Sequence, residues 1–267
     1  MTQHPRRIEA GVRQGFFTDT SVCIGCKACE VACKEWNELD DAVGELTGRS
    51  YDNTSTLDAL SWRHVAFVEK PAPVPTVGRD LVWLMSSDVC KHCTEAACLD
   101  VCPTGSLFRT EFGTVVVQPD ICNGCGYCVP ACPFGVIGKE GGHGGAAKCT
   151  LCYDRLKADQ VPACAQVCPT ESIQFGPLVD MAARAASRLE ALQLAGVIQA
   201  RLYGADPDDG IGGAGALFLL LDEPAVYGLP SHPHTATRHL GQMWTTAAQA
   251  AAALSAAVAV CVLGTRR

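Results

Sequence analysis

Cysteine is the residue that most constrains this chain, because its 17 cysteines are grouped rather than scattered. Sixteen of them form four runs of four, and Cys261 stands alone near the C-terminus. The runs, in chain order, are run one with Cys23, Cys26, Cys29 and Cys33, run two with Cys90, Cys93, Cys98 and Cys102, run three with Cys122, Cys125, Cys128 and Cys132, and run four with Cys149, Cys152, Cys164 and Cys168.

The spacing within the runs predicts iron–sulfur clusters. Runs one and three follow C-x2-C-x2-C-x3-C, the bacterial ferredoxin pattern for [4Fe–4S] clusters, in which the fourth cysteine ligates the other cluster of a pair. Runs two and four keep this order and lengthen the gap between the second and third cysteines. Proline follows the last cysteine of three runs, at Pro103, Pro133 and Pro169, whereas Lys34 follows run one. We therefore expect four [4Fe–4S] clusters.

Two other uses of cysteine fit the sequence less well. Residues 1–10 lack the apolar stretch of a secretory signal peptide, so we expect reduced thiols rather than a disulfide framework. Structural zinc typically takes two C-x2-C pairs that close one tetrahedron, which does not account for the C-x3-C ending of these runs. A zinc-bound interaction scaffold remains the remote alternative.

The exchange of fourth ligands predicts which cysteines share a cluster. Runs two and three are close in sequence and form a natural inner pair, and runs one and four then form an outer pair around it. The alternative pairs run one with run two and run three with run four. The favoured pairing predicts set 1 as Cys23, Cys26, Cys29 and Cys168, set 2 as Cys149, Cys152, Cys164 and Cys33, set 3 as Cys90, Cys93, Cys98 and Cys132, and set 4 as Cys122, Cys125, Cys128 and Cys102. Four protein ligands for each cluster leave no open iron, which favours electron transfer over catalysis by this chain.

The runs and the segments between them predict an α+β fold with two nested ferredoxin-like units. The outer unit takes residues 15–89 with 138–176, and the inner unit takes 90–137. Within the outer unit, 34–89 is a loop-rich insertion in which 62–69 alternates as a strand does. Further strands are expected at 114–117 and 172–175.

The C-terminal part predicts an α/β extension over 177–239 and a helix over 240–265. In the extension, apolar spacing predicts a helix from Pro177 to about Leu194, followed by strands at 200–203 and 216–221. Residues 240–265 carry no charged side chain and are long enough to cross a bilayer, although they are rich in alanine. The alternative is a helix that lies on the protein. Cys261 within it reads as a small buried apolar residue.

Charged residues and histidines give weaker indications. The net charge of −7 is unlike that of a nucleic-acid-binding protein. Lys27, Lys34, Lys91 and Lys148 adjoin cysteines, and each alone is read as a surface lysine. His232, His234 and His239 precede the terminal helix and are read as part of a polar loop.

The four runs resemble those of the iron–sulfur subunits of molybdopterin oxidoreductases. Sequence between the runs more specifically resembles the β subunit of membrane-bound formate dehydrogenases. The segments that carry this resemblance are Glu35-Trp36-Asn37, Tyr51-Asp52-Asn53, Ser61-Trp62, Cys149-Thr150-Leu151-Cys152 with Asp154-Arg155, and Tyr227-Gly228-Leu229-Pro230. The glycine-rich stretch 141–145 and the weakly apolar terminal segment depart from the family.

The resemblance implies two partners and a location. A molybdopterin-containing α subunit, with molybdenum or tungsten, would oxidise formate, and a cytochrome b γ subunit would accept the electrons. The same electron-transfer subunit could instead serve a sulfur-compound reductase or a hydrogenase. Arg266 and Arg267 place the C-terminal end in the cytoplasm by the positive-inside rule, and so the cluster body on the exoplasmic face. Arg238 lies at the N-terminal end of this segment and weakens that inference, so the cytoplasmic face is the alternative location of the cluster body.

Overall fold

The computed structural model describes residues 7–40, 48, 51–76, 79–139 and 144–264. The strands are β1 Gln14–Asp19, β2 Arg63–Thr76, β3 Arg79–Val89, β4 Leu107–Arg109, β5 Val115–Val117, β6 Gly138–Lys139, β7 Ala146–Ala147, β8 Ile173–Pro177, β9 Arg201–Tyr203 and β10 Ala216–Leu220. The helices are α1 Ala28–Trp36, α2 Ala97–Asp100, α3 Cys128–Ala131, α4 Tyr153–Lys157, α5 Ala163–Gln166, α6 Leu178–Leu194 and α7 Leu240–Gly264. This mixture of short helices and strands confirms the predicted α+β class.

A four-stranded sheet ties together distant parts of the chain. Its order is β8-β1-β10-β9, with β1 antiparallel to β8 and parallel to β10. The predicted outer unit supplies β1 and β8, and the predicted extension supplies β9 and β10. Segments that the sequence separates into a cluster unit and an extension therefore share one sheet.

The two faces of this sheet bury different neighbours. Alternation along the strands sends Phe17 and Leu219 to one face, where they pack on Met181 and Ala185 of α6. Phe16 points to the other face and joins the large core that contains many of the cysteines. Since both faces are covered, β10 is buried along its whole length. The sheet is thus the platform that separates α6 from the cysteine-rich body.

The insertion between runs one and two is more ordered than the sequence predicted. Strands β2 and β3 form a long antiparallel hairpin that pairs Arg63 with Val89 and continues to the pair of Thr76 and Arg79. The predicted strand at 62–69 is therefore only the first half of β2. Prolines are tolerated in the second half because β2 has one neighbouring strand in its sheet, and an edge strand does not need every N–H for pairing.

The remaining sequence predictions of secondary structure are largely confirmed. Strands β5, β8, β9 and β10 and helices α6 and α7 lie where the alternation and apolar spacing placed them, within about two residues at each end. Part of the glycine-rich stretch 141–145 and the terminal Thr265, Arg266 and Arg267 lie outside the described residues.

Candidate metal centres

Each cysteine run folds as a tight loop followed by a short helix. In every run the loop contains residues with left-handed backbone, which turns successive cysteines toward one point. These residues are Gly25 and Lys27 in run one, His92 in run two, Gly124 and Gly126 in run three, and Leu151 and Cys152 in run four. Such turns also direct backbone N–H groups inward, an arrangement that recurs at iron–sulfur sites. The N–H of Leu151 points at Sγ of Cys149, at 3.3 Å.

The cysteines of set 1 surround one small cavity. Cys23, Cys26 and Cys29 come from run one, and Cys168 reaches the same cavity from run four. Burial raises the pKa of Cys29 to about 11. A thiol held in this way becomes a thiolate when a cation binds it, so the donor chemistry fits a cluster with cationic irons.

The cysteines of set 3 surround a second small cavity. Cys90, Cys93 and Cys98 line it from run two, and Cys132 lines it from run three. His92 also lines this cavity and is 2% exposed. Its Nδ1 accepts the Val115 N–H at 3.1 Å, and burial together with nearby cations lowers its pKa, so the neutral ring carries its proton on Nε2. Nε2 is buried and has no hydrogen-bond partner within the described part of the chain, which leaves a donor for a bound group.

Sets 2 and 4 are brought together in the same way. After burial, the thiolates of Cys149, Cys164 and Cys152 are the strongest influences that raise the pKa of Cys33. In set 4, Cys122, Cys102 and Cys125 contribute to raising the pKa of Cys128, again after burial. The structure therefore brings cysteines from paired runs together, which supports the predicted sets.

Helix packing follows the same nesting of the runs. Helix α1 of run one packs against α5 of run four, and α2 of run two packs against α3 of run three. This geometry supports the favoured pairing over the one that joins run one to run two. The membership of each ligand set is itself untested and stays a prediction.

The four sets follow one another in space as 1, 2, 3 and 4. Cys164 of set 2 lies close enough to Cys29 of set 1 to raise its pKa. Cys90 of set 3 does the same to Cys149 of set 2, whose pKa is raised to about 12 by burial and then by Cys90. Cys128 of set 4 likewise contributes to the raised pKa of Cys98 in set 3, after burial and closer cysteines. These three neighbour relations therefore order the groups in one line, from set 1 through sets 2 and 3 to set 4.

Among these sixteen cysteines only two are exposed, and they belong to the two ends of this line. Cys26 of set 1 and Cys125 of set 4 are exposed, whereas all four cysteines of set 2 are buried. In set 3, Cys90 is buried and the other three are half-buried. An electron carrier built on this line would exchange electrons with partners at its ends and protect its middle from solvent.

The reading of two lysines as surface residues is wrong. Lys91 and Lys148 are each 1% exposed. Lys148 Nζ donates to the carbonyl oxygen of Cys149 at 3.0 Å and also to that of Val115, and Lys91 pairs with Asp88. Burying an ammonium is costly unless it is paired, so the Asp88 carboxylate stabilises Lys91 and two carbonyl oxygens stabilise Lys148.

The other two lysines beside the cysteines are half-buried and paired. Lys27 forms ion pairs with Glu30 and Asp52, both at 3.3 Å. Lys34 donates to the carbonyl oxygen of Leu60 at 2.9 Å.

Sequence reasoning also missed Arg63, which is 2% exposed and lies between sets 1 and 2. Burial alone would lower its pKa, but Cys164, Cys29, Cys149 and Cys33 outweigh burial and raise it. The signal that could have revealed Arg63 is its place in the alternation of β2, where it shares a face with buried Val65.

The segment before α7 is anchored on the inner unit. Thr235 donates its hydroxyl to the carbonyl oxygen of Glu95 at 2.8 Å, and Arg238 pairs with the Glu95 carboxylate at 2.8 Å. The three predicted loop histidines are exposed there. Helix α7 then leaves the body, since Leu240–Leu263 has no buried residue and a mean hydropathy of 1.9 in its most apolar window. By length and composition it is long and apolar enough to cross a membrane.

Comparison with known proteins gives consistent matches. Two family models, each described as a 4Fe-4S dicluster domain, match residues 22–106 and 81–178. The sequence is 40% identical to the iron–sulfur subunit of the nitrate-inducible formate dehydrogenase of Escherichia coli, over 80% of its own length and 71% of the relative. It is 39% identical to the formate dehydrogenase iron–sulfur subunit of Haemophilus influenzae, over 87% of its own length and 73% of the relative. The B subunit of the anaerobic dimethyl sulfoxide reductase of Escherichia coli is 35% identical, over 62% of the present sequence and 75% of the relative.

Proposed function

We propose, since this chain belongs to the family of formate dehydrogenase iron–sulfur subunits, that it carries electrons from a formate-oxidising partner to a membrane acceptor. The chain is an electron-transfer subunit with four [4Fe–4S] clusters and is not catalytic by itself. Its relatives are subunits of larger enzymes, which implies a catalytic partner. The proposal concerns the source of the electrons, their route through the four sets, and the partners at the two ends.

The observation that carries the proposal is the line of four cysteine sets with an exposed cysteine at each end. Sets 1 and 4 reach the surface through Cys26 and Cys125, whereas no cysteine of sets 2 and 3 is exposed. A conductor between two partners needs accessible ends and a protected interior, because solvent access and surrounding charge control the potential of each cluster.

The residues proposed to hold the clusters are the four sets, each completed by a fourth cysteine from the paired run. Support comes from the cavities around sets 1 and 3 and from the mutual influence of the sulfurs in sets 2 and 4. The pairing of runs also supports an outer unit over 15–89 with 138–176 and an inner unit over 90–137.

The [4Fe–4S] clusters supply reversible one-electron oxidation and reduction when they are bound. The protein's own residues hold the thiolates, exclude water and place hydrogen-bond donors and buried cations around the sulfurs. Lys148 illustrates this role, since its ammonium donates to the carbonyl oxygen of Cys149 in set 2 and its charge acts to lower the pKa of Cys98 in set 3. Positive charge there favours the more negative, reduced state of neighbouring clusters.

The anchoring of the C-terminal segment suggests which end faces the membrane. Thr235 and Arg238 dock on Glu95, which belongs to the run that supplies set 3 and the fourth ligand of set 4. Helix α7 starts two residues after Arg238, which is anchored on the inner unit, and this supports a position of the set 4 end nearer the membrane-crossing segment. We therefore assign the set 4 end to a membrane cytochrome b and the set 1 end to the molybdenum- or tungsten-pterin subunit.

We place the cluster body on the exoplasmic side of the membrane. Two arginines close the chain at 266 and 267, and positively charged residues next to a membrane span favour the cytoplasmic side. Protease added to sealed right-side-out vesicles would digest the cluster body if this orientation holds, and would spare it if the body faces the cytoplasm.

The direct test uses the whole complex purified from its host under anaerobic conditions. We expect formate to reduce the clusters of this chain, seen as bleaching of their visible absorbance and as new electron paramagnetic resonance (EPR) signals. Dithionite, which reduces clusters without an enzyme partner, is the control. Clusters that dithionite reduces and formate does not would contradict the formate assignment.

A second candidate follows from the 35% identity to a dimethyl sulfoxide reductase subunit. In that case the same line would deliver electrons to a sulfur-compound reductase. Rapid reoxidation of dithionite-reduced clusters by dimethyl sulfoxide, without reduction by formate, would favour it.

A further inference from the structure

Arg63 is a buried cation with an unusual environment. It lies at the start of β2, is 2% exposed, and has its guanidinium carbon 4.8 Å from the centre of the Phe16 ring. Its Nη1 donates to the carbonyl oxygen of Ser87 at 3.2 Å and to the Ser87 hydroxyl at 3.1 Å. Neither Ser87 group carries a negative charge, so these bonds do not neutralise the guanidinium.

The rest of the guanidinium has no partner in the described part of the chain. Nε and Nη2 are buried and donate to no hydrogen-bond acceptor there. A guanidinium keeps its charge at any ordinary pH, and burying it without an anion is costly. Something negative must therefore face these two nitrogens in the working protein.

The groups that surround Arg63 are cysteines of two different sets. Cys29 belongs to set 1, and Cys164, Cys149 and Cys33 belong to set 2. A [4Fe–4S] core bound by four thiolates carries net negative charge and gains one more negative charge on reduction. The guanidinium thus lies where it would face two such clusters at once.

Ser87 links this cation to one cysteine of set 1. Its hydroxyl oxygen accepts from Arg63 Nη1, which leaves the hydroxyl hydrogen free to donate to Sγ of Cys29, 3.2 Å away. A hydrogen bond to a ligand sulfur stabilises the reduced cluster. Arg63 therefore acts on set 1 both by its charge and through Ser87.

We propose that Arg63 sets the reduction potentials of the two clusters held by sets 1 and 2, and so favours electron entry at that end of the line. The proposal rests on the cluster assignment in the proposed function. The fixed positive charge stabilises each reduced cluster and weakens the repulsion between two neighbouring reduced clusters. The electron balance is simple, since each cluster gains one electron and no bond is made or broken.

The test is an EPR-monitored redox titration of the chain within its purified complex, poised with dithionite and mediators. Arg63→Gln removes the charge and keeps a donor for Ser87, and Arg63→Lys keeps the charge. Ser87→Ala leaves the cation in place and removes the bond to Cys29. Arg184→Met removes an exposed arginine and is the matched control. Signals are assigned to set 1 and set 2 with Cys168→Ser and Cys33→Ser.

In Arg63→Gln we expect both set 1 and set 2 to become harder to reduce. The reduced-to-oxidised ratio at a fixed potential should fall about tenfold for each, which corresponds to about 59 mV for one electron. Arg63→Lys should stay near the unchanged protein, Ser87→Ala should shift set 1 alone, and the control should shift neither. Sets 3 and 4 should keep their potentials throughout.

Unchanged potentials in Arg63→Gln with full iron content would overturn the proposal, as would equal shifts in Arg63→Gln and Arg63→Lys. If Arg63→Gln loses iron, Ser87→Ala decides, and wild-type potentials for all four clusters in that variant overturn it. Formate is not used in this titration, so failure of the formate assignment leaves it unaffected. A low iron content in the unchanged protein would instead contradict the cluster assignment.

Discussion

The indole Nε1–H of Trp36 donates a 2.8 Å hydrogen bond to Oδ2 of Asp154, which lies 118 residues further along the chain. The guanidinium carbon of the neighbouring Arg155 lies 4.1 Å from the centre of the same ring. Trp36 ends α1 of run one, and Asp154 belongs to α4 of run four. These contacts hold together the two runs that the nested arrangement pairs.

Trp36→Ala should therefore weaken the junction between runs one and four. The lost hydrogen bond and ring contact should lower the free energy of unfolding by about 1–3 kcal/mol. The measurement is the urea midpoint of the cluster-loaded chain, followed by loss of its visible absorbance. Trp36→Phe keeps a ring over Arg155, so its urea midpoint should lie between those of the unchanged protein and Trp36→Ala. An unchanged midpoint in Trp36→Ala would show that this contact does not hold the junction.

The exchange of fourth ligands makes a prediction about pairs of variants. Cys33→Ser and Cys149→Ser should disturb the same EPR signal although these residues belong to different runs. Cys168→Ser and Cys23→Ser should together disturb another signal. Cys261→Ser, outside the four sets, is the control and should leave every signal in place. If Cys33→Ser instead disturbs the signal that Cys23→Ser disturbs, each run holds its own cluster and the nested sets are wrong.

The cysteine spacing predicts four ligand groups, because ligand geometry is local and repeats four times, and the packing of α1 on α5 and of α2 on α3 supports the nested pairing of the runs. The buried cations were not predictable in this way. Lys148 looks in sequence like any surface lysine, and it is buried because segments more than thirty residues apart, such as β5 with Val115, close over it. The order of the sets along a line also depends on contacts between runs, which no single run encodes.

The hairpin and the shared sheet show a second limit of the sequence. Alternation over 62–69 predicted a strand, but the pairing of β2 with β3 extends it through a proline-containing stretch. The parallel pairing of Phe16 with Ala216 joins residues 200 positions apart and has no local signal. Long-range pairing of this kind is decided by burial on both faces of the sheet.

Gly138 should tolerate no side chain. A Cβ there would lie 2.0 Å from the backbone nitrogen of Ala59, so β6 or the segment before β2 would have to move. We expect Gly138→Ala to cost about 1–3 kcal/mol through overpacking. Gly241→Ala is the matched control, since a Cβ at Gly241 meets nothing within 4 Å. Equal urea midpoints for the two variants would contradict the close contact.

Removal of residues 240–267 should release the chain from the membrane and leave its clusters intact. Helix α7 carries the apolar surface, and its described residues make no buried contact with the body. The full-length chain, expressed with its complex, should stay in the membrane pellet after alkaline carbonate extraction, and the shortened chain should be recovered in the soluble fraction. A shortened chain that still sediments with membranes would show that another surface or subunit holds it there.

Iron and acid-labile sulfide content is the most direct test of four clusters in one chain. After anaerobic purification or reconstitution, four [4Fe–4S] clusters require sixteen irons and sixteen sulfides per chain, together with four reducible centres in an EPR titration. Cys261→Ser should give the same values. Eight irons, or stoichiometric zinc without visible absorbance, would contradict the account.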